Sequence, residues 1–219
     1  MKRIITVLAS MLCICMVSQA KLALSSVCSD GMVLQQNTEA MIWGTADAGA
    51  QVTVTPSWNG KGYRCKADSD GKWSVKIETP AGSYKAYSIA VKGGGASLKI
   101  SDVLVGEVWL ASGQSNMEMP MRGFFNCPVE NAIEYISAPA AKEKIRMFTV
   151  PLKQSYEPLT EVDAKWEGAE PATVPGMSAT AFFFARKLNE MLDMPVGIVS
   201  CEYGGHRIFA GNRRLAQMH

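Results

Sequence analysis

Ser115 stands in the run Gly113-Gln114-Ser115-Asn116-Met117, and a serine placed two residues after a glycine can serve as an acyl-accepting nucleophile. A glycine at that point lets the chain fold sharply with no side chain in the way, which lifts the hydroxyl clear of the backbone. The run is not the Gly-x-Ser-x-Gly elbow, because Met117 fills its fifth place. On spacing alone, a serine that caps a helix or satisfies a turn is the more ordinary explanation. A serine hydroxyl is also a poor nucleophile until a base takes its proton. The chain holds two histidines, His206 and His219.

Other residues capable of chemistry have plainer readings. Asp68-Ser69-Asp70-Gly71 looks like the start of a calcium loop, but the twelfth position is Thr79 rather than an acidic ligand. A hairpin turn fits it better. Gly93-Gly94-Gly95 lies between strand-like segments and does not precede a helix, which argues against a phosphate cradle. Four cysteines fall after residue 20: Cys28, Cys65, Cys127 and Cys201. They form no C-x-x-C pair, so a zinc cluster is not indicated. Buried free thiols and a Cys28–Cys65 bridge are equally compatible with the spacing.

The elements that must position Ser115 follow from periodicity. From Leu22 to Ile100 short alternating segments such as Gln51-Val52-Thr53-Val54-Thr55 and Trp73-Ser74-Val75-Lys76-Ile77 are separated by turn residues, which predicts an all-β sandwich. From Ser101 the pattern changes. Val103-Leu104-Val105 and Val108-Trp109-Leu110-Ala111 read as an apolar run buried on both faces of a parallel sheet. Ile145 to Val150 and Pro195 to Ser200 read as further strands. Ser178 to Leu192 is an amphipathic helix with Phe182, Ala185, Leu188 and Leu192 inward and Arg186, Lys187, Asn189 and Glu190 outward. Strands alternating with helices predict an α/β layer, so the expected plan is a sandwich over 21–100 and an α/β unit over 101–219. Ser115 then falls at the carboxyl end of a strand, where open α/β sheets gather their ligands.

Residues 1–20 have the layout of a secretory signal: Lys2 and Arg3, an apolar stretch from Ile4 to Val17, and the small-residue exit Ser18-Gln19-Ala20. That stretch is about fourteen residues, short of the roughly 20 that span a bilayer. Cleavage after Ala20 and a secreted or periplasmic location are expected, with no retained membrane span. A net charge of +2 gives no argument for a nucleic-acid partner or an anionic membrane.

Residues 106–119, Gly-Glu-Val-Trp-Leu-Ala-Ser-Gly-Gln-Ser-Asn-Met-Glu-Met, closely resemble the nucleophile block of the sialate O-acetylesterases, which are SGNH-type carbohydrate esterases. Ser29 to Gln35, Trp43-Gly44-Thr45-Ala46, Asp70-Gly71-Lys72-Trp73, Ser178-Ala179 and Pro195-Val196-Gly197-Ile198 fit the same family text. The resemblance implies an α/β SGNH hydrolase-like domain and hydrolysis of O-acetyl esters on a sugar, most naturally sialic acid, with no metal or organic cofactor. It implies that Ser115 is the nucleophile and that Gly204 and Gly205 form a Gly-Gly turn, one of whose N–H groups binds the oxyanion. A plain strand-exit turn is the alternative for that pair.

The family's Asp-x-x-His pair and its Asn-bearing oxyanion block have no counterpart here, and likeness fades within a few residues of Gly205. The expectation is therefore an α/β unit that is incomplete, through a frameshift or shortened reading frame, and a chain of weak or no activity by itself. Such a chain would leave the Pro195–Ser200 strand as an exposed edge. Another polysaccharide acetylesterase, such as an acetyl xylan esterase, is a competing expectation. So is a non-catalytic glycan-binding sandwich using Trp43, Trp58 or Tyr63.

Overall fold

The computed structural model describes residues 22–137, 144–153, 155–157 and 159–204. The expected export signal, Gly205 and both histidines lie outside them. The chain is built mostly from β-strands, with few helices. The strands in order are β1 (Ala23–Leu24), β2 (Val33–Gln35), β3 (Glu39–Thr45), β4 (Gln51–Pro56), β5 (Tyr63–Lys66), β6 (Lys72–Glu78), β7 (Ser83–Gly93) and β8 (Ala96–Gly113). There follow helices α1 (Ser115–Glu118) and α2 (Ala132–Ser137), strands β9 (Ile145–Thr149) and β10 (Trp166–Gly168), helix α3 (Ala179–Leu192) and strand β11 (Val196–Glu202).

Period-two patterning puts alternate residues of β4 and β6 into one core, where Val52, Val54, Trp73 and Ile77 are buried. A three-stranded sheet, β1-β3-β6, lies over β5-β4-β7-β8 of the larger sheet, and Ile42 and Ile77 meet Ile89, Val91 and Ile100 between them. Each such side chain taken fully from water contributes about 1.5–3 kcal/mol. The glycine run closes the β7–β8 hairpin: Gly94 and Gly95 take φ of +55° and +79°, the left-handed pair that a tight two-residue hairpin requires. Asp68-Asp70-Gly71 is likewise a turn. Asp68 Oδ1 accepts the N–H groups of Asp70 and Lys72 at 2.9 and 2.8 Å.

Residue 101, where composition changes, falls inside the eighteen-residue strand β8. Its first part pairs antiparallel with β7, and Glu107–Gly113 pairs parallel with Val196–Glu202 of β11. Asp102, whose φ is +54°, lies in the first part, which stays paired with β7 as far as Val105. Beyond it the order is β8-β11-β9-β10, with β11 parallel to both neighbours and β10 antiparallel to β9. The expected parallel sheet is thus mixed at its β10 edge.

One face of this sheet packs on α3 through Ile145, Met147, Val196 and Ile198. Its other face packs on the first core, to which Phe148 and Trp166 belong. The strand Pro195–Ser200 is therefore central, between β8 and β9, rather than the exposed edge expected from sequence. Among the described residues the edges of this part of the sheet are β10 and the end of β8. Trp109 and Leu110 are 45% and 48% exposed there, against the expectation of burial on both faces.

Helix α3 begins as its sequence predicts. Ser178 is its N-cap and accepts the Ala181 N–H at 3.2 Å, satisfying one of the orphan donors of the first turn. The inward face differs from the periodicity at its end. Asn189 is buried and donates to the Met194 carbonyl at 2.6 Å and to Tyr84 Oη at 3.2 Å, whereas Leu192 is largely exposed. A buried amide can stand in that position because both partners satisfy it.

Candidate active site at the ends of two parallel strands

The serine turn is produced by the meeting of β8 and α1. Gly113 ends the strand, and a Cβ placed on it would come within 2.9 Å of Met117 Cβ. The glycine therefore lets α1 fold back onto the strand end. The N–H groups of Met117 and Glu118 both return to the Gln114 carbonyl at 2.9 Å. Ser115 opens this single helical turn with its residue exposed.

Three contacts strap the turn to the start of α3. Thr180 Oγ1 donates to the Asn116 carbonyl at 2.9 Å, and the Ala179 N–H donates to the Met119 carbonyl at 2.8 Å. Ser178 Oγ also lies 3.5 Å from Met117 Sδ. The α3 N-terminus, itself held on the sheet by Phe182 and Ala185, thereby fixes the backbone that presents Ser115.

Parallel pairing brings the exit of β11 to the same place. Glu202 is in register with Gly113, and the Tyr203 N–H donates to the Gly113 carbonyl at 3.1 Å. One residue on, a Cβ added to Gly204 would lie 3.4 Å from Ser115 Oγ and would collide with the Glu118 carboxylate. Glycine at 204 therefore leaves the Glu118 carboxylate the place it occupies, and its backbone angle plays no part. The structure therefore brings Ser115 and Gly204 together, while Gly205 lies outside the described residues. The Gly204 N–H is already engaged: it donates to Glu118 Oε2 at 2.7 Å.

Two acidic residues that sequence reasoning passed over thus belong to the site. Glu118 stands at i+3 from Ser115, on the same helical face, and that spacing was available as a signal. Glu202 shows no pattern in sequence, since only strand pairing brings it to the serine turn. Burial pushes the Glu202 carboxyl above the usual carboxylate range, and the Glu118 charge adds to this. A hydrogen bond from Ser200 Oγ at 2.7 Å opposes the shift. Beside it, burial and then the Glu202 charge push the Cys201 thiol up to about 12.

The remaining candidate residues have structural positions. Cys28, Cys65, Cys127 and Cys201 are all free thiols, so the Cys28–Cys65 bridge is not formed. Among the described residues no cluster of His, Cys, Asp or Glu could hold a metal ion, and no helix is long and apolar enough to cross a membrane. Trp43, Trp58 and Tyr63 pack against the first core. Trp58 Nε1 donates to the Glu78 carbonyl and Tyr63 Oη to Glu78 Oε2, so the polar ends of both rings are already paired within the sandwich.

No family model matches the chain. It is 36% identical over 190 residues to the sialate O-acetylesterase of Mus musculus, an alignment covering 80% of this chain and 34% of that protein. Identity to the Homo sapiens sialate O-acetylesterase is 34% over 203 residues, covering 85% of this chain and 38% of that protein. This chain therefore spans little more than a third of the length of these curated relatives. The crystal structure of a carbohydrate acetylesterase from Xanthomonas citri superposes with a TM-score of 0.77 at 33% identity, over 86% of this chain and 42% of that one.

Proposed function

Because this chain is homologous to the sialate O-acetylesterases, we propose that it carries the nucleophile-bearing part of a carbohydrate O-acetylesterase. The observation that supports this most is the convergence of Ser115 Oγ and the Gly204 turn at the carboxyl ends of parallel β8 and β11. Catalytic groups gather there in α/β sheets, and the SGNH hydrolase-like reading of residues 101–219 rests on the same arrangement.

Ser115 Oγ attacks the acetyl carbonyl, and the sugar hydroxyl leaves with a proton. Water then clears the acetyl-serine, releasing acetate. The tetrahedral oxygen needs preorganised donors. The Ser115 N–H is one. The family resemblance gives the second donor to the Gly204-Gly205 pair, of which the Gly204 N–H here donates to Glu118. A base must take the serine proton. The chain's two histidines, His206 and His219, lie outside the described residues and do not follow the family's Asp-x-x-His pattern, so activity of this chain alone is expected to be weak or absent.

The substrate class we propose is an O-acetylated sugar, sialic acid first, with acetylated xylan as the alternative. Passage through an export pathway with cleavage after Ala20, giving a secreted or periplasmic protein, belongs to the same reading. Acetate release from O-acetylated sialic acid and from acetylated xylan, measured side by side, separates the substrates. Ser115→Ala should abolish whatever serine-dependent acetate release is present. Turnover that survives this substitution would remove Ser115 from the mechanism.

A further inference from the structure

We infer that Glu118 is a positioning residue that fastens the exit turn of β11 against the serine turn of β8, an inference that rests on the proposed role of Ser115. The ladder between β8 and β11 closes with the Tyr203 N–H donating to the Gly113 carbonyl at 3.1 Å. Beyond that bond the two strands end and their backbones have no further register to share. The next link is a side chain. Glu118 Oε2 accepts the Gly204 N–H at 2.7 Å, a length typical of a bond to a charged acceptor, which is stronger than a neutral one.

The two ends of this clamp are themselves fixed. Glu118 is the last residue of α1, and the turn it closes is held by the Met119 N–H on the Ser115 carbonyl at 3.0 Å and by Thr180 on Asn116. Gly204 lies two residues beyond the end of β11, the strand between β8 and β9. A Cβ on Gly204 would enter the space of the Glu118 carboxylate and displace it, and would stand 3.4 Å from Ser115 Oγ. Glu118 and the absence of a side chain at 204 are therefore two halves of one fitting, and its product is the closeness of the Gly204 backbone to the serine hydroxyl. Glu118 spends its oxygen on an amide hydrogen. Its contribution is to hold the backbones of the two turns together beside the Ser115 hydroxyl.

The test uses the full chain and reads two quantities. Backbone amide exchange followed by NMR reports on the Gly204 N–H, and the labelling rate of Ser115 by a fluorophosphonate probe reports on the serine site, with Ser115→Ala as background. Glu118→Ala should raise Gly204 exchange by about tenfold or more while leaving Val199 and Ser200 of β11 unchanged, and should slow Ser115 labelling by a similar factor. Glu118→Gln keeps a carbonyl oxygen at the same reach and should hold both readings within about threefold of the parent. Unchanged Gly204 exchange in Glu118→Ala overturns the inference, as does faster exchange with unchanged labelling. Parent chain that is labelled no faster than Ser115→Ala is the behaviour of a serine without its base, and the exchange data then decide the clamp on their own.

Discussion

Glu202 shows how the site taxes the fold at a single residue. Its carboxyl titrates above the ordinary carboxylate value, first because it is buried and then because Glu118 is near. Between its unfolded and folded values the native chain binds more protons than the unfolded one, so stability falls as pH rises through that window. Glu202→Gln keeps an acceptor for Ser200 Oγ and removes the charge. It should raise the melting temperature at pH 7 and flatten the fall above the usual carboxylate range; superimposable melting curves across pH would contradict this. The thiols give a second test. Burial pushes Cys28 and Cys201 each up to about 12, so their reactive thiolate is scarce at neutral pH, whereas Cys127 is exposed. Alkylation of the native chain at pH 8, located by peptide mass, should modify Cys127 well before Cys28 or Cys201.

Strand β8 carries the main consequence at the level of elements. It belongs to the sandwich through β7 and to the serine site through β11, and the change of partner happens around Gly106. A Cβ on Gly106 would run into the carbonyl of Pro195, which is backbone and cannot swing aside. Gly106→Ala should therefore force β11 away from β8 and destabilise the chain by roughly 1–3 kcal/mol or more. Thermal unfolding checks the size of the effect. Because the same shift moves Glu202 and Gly204 relative to Gly113, Ser115 labelling should also fall; a stable variant with intact labelling would show that the strand ends are placed by other contacts. The α3 helix explains the serine turn from the other side. Its apolar face is fixed on the sheet, so its first turn becomes a rigid post for residues 116–121.

At the scale of the molecule, the second face of the β8-β11-β9 sheet is covered by the sandwich rather than by a helix. Gly197 leaves room for Val33, whose Cβ would stand 2.7 Å from an added Cβ. Trp166 Nε1 reaches across to the Val27 carbonyl at 2.8 Å. Arg146 ties the same seam. Its buried guanidinium donates to the Gly31 carbonyl at 2.7 Å and to both the carbonyl and the carboxylate of Asp102. Arg146→Met would leave two carbonyls without their donor and should cost about 2–3 kcal/mol. Asp102→Asn should cost less, about 0–1 kcal/mol, since the Asp102 side chain is 60% exposed and its ion pair is weakened by solvent. Denaturant titrations of the two variants compare them directly, and equal losses would mean that the carboxylate, not the carbonyls, holds the seam.

How much of this was legible beforehand depends on whether a residue's role is local. Alternating apolar residues in β4 and β6, the glycine turns and the helical face of α3 up to Leu188 were readable, because each is set by neighbours a few positions away. So was the place of the Gly113-to-Met117 turn at the end of a strand. The end of α3 was not, since the burial of Asn189 depends on Tyr84 and Met194 on other elements. The exposed edge was misplaced for the same reason: strand order is a property of pairing between distant segments, and sequence order put last the strand that the fold puts in the middle. The sequence by itself determined the elements and the serine at the end of one of them. Only the tertiary structure decided that Gly204 comes to that serine and that Glu118 holds it there, because hydrogen bonds between residues 86 positions apart exist only once β11 has paired with β8.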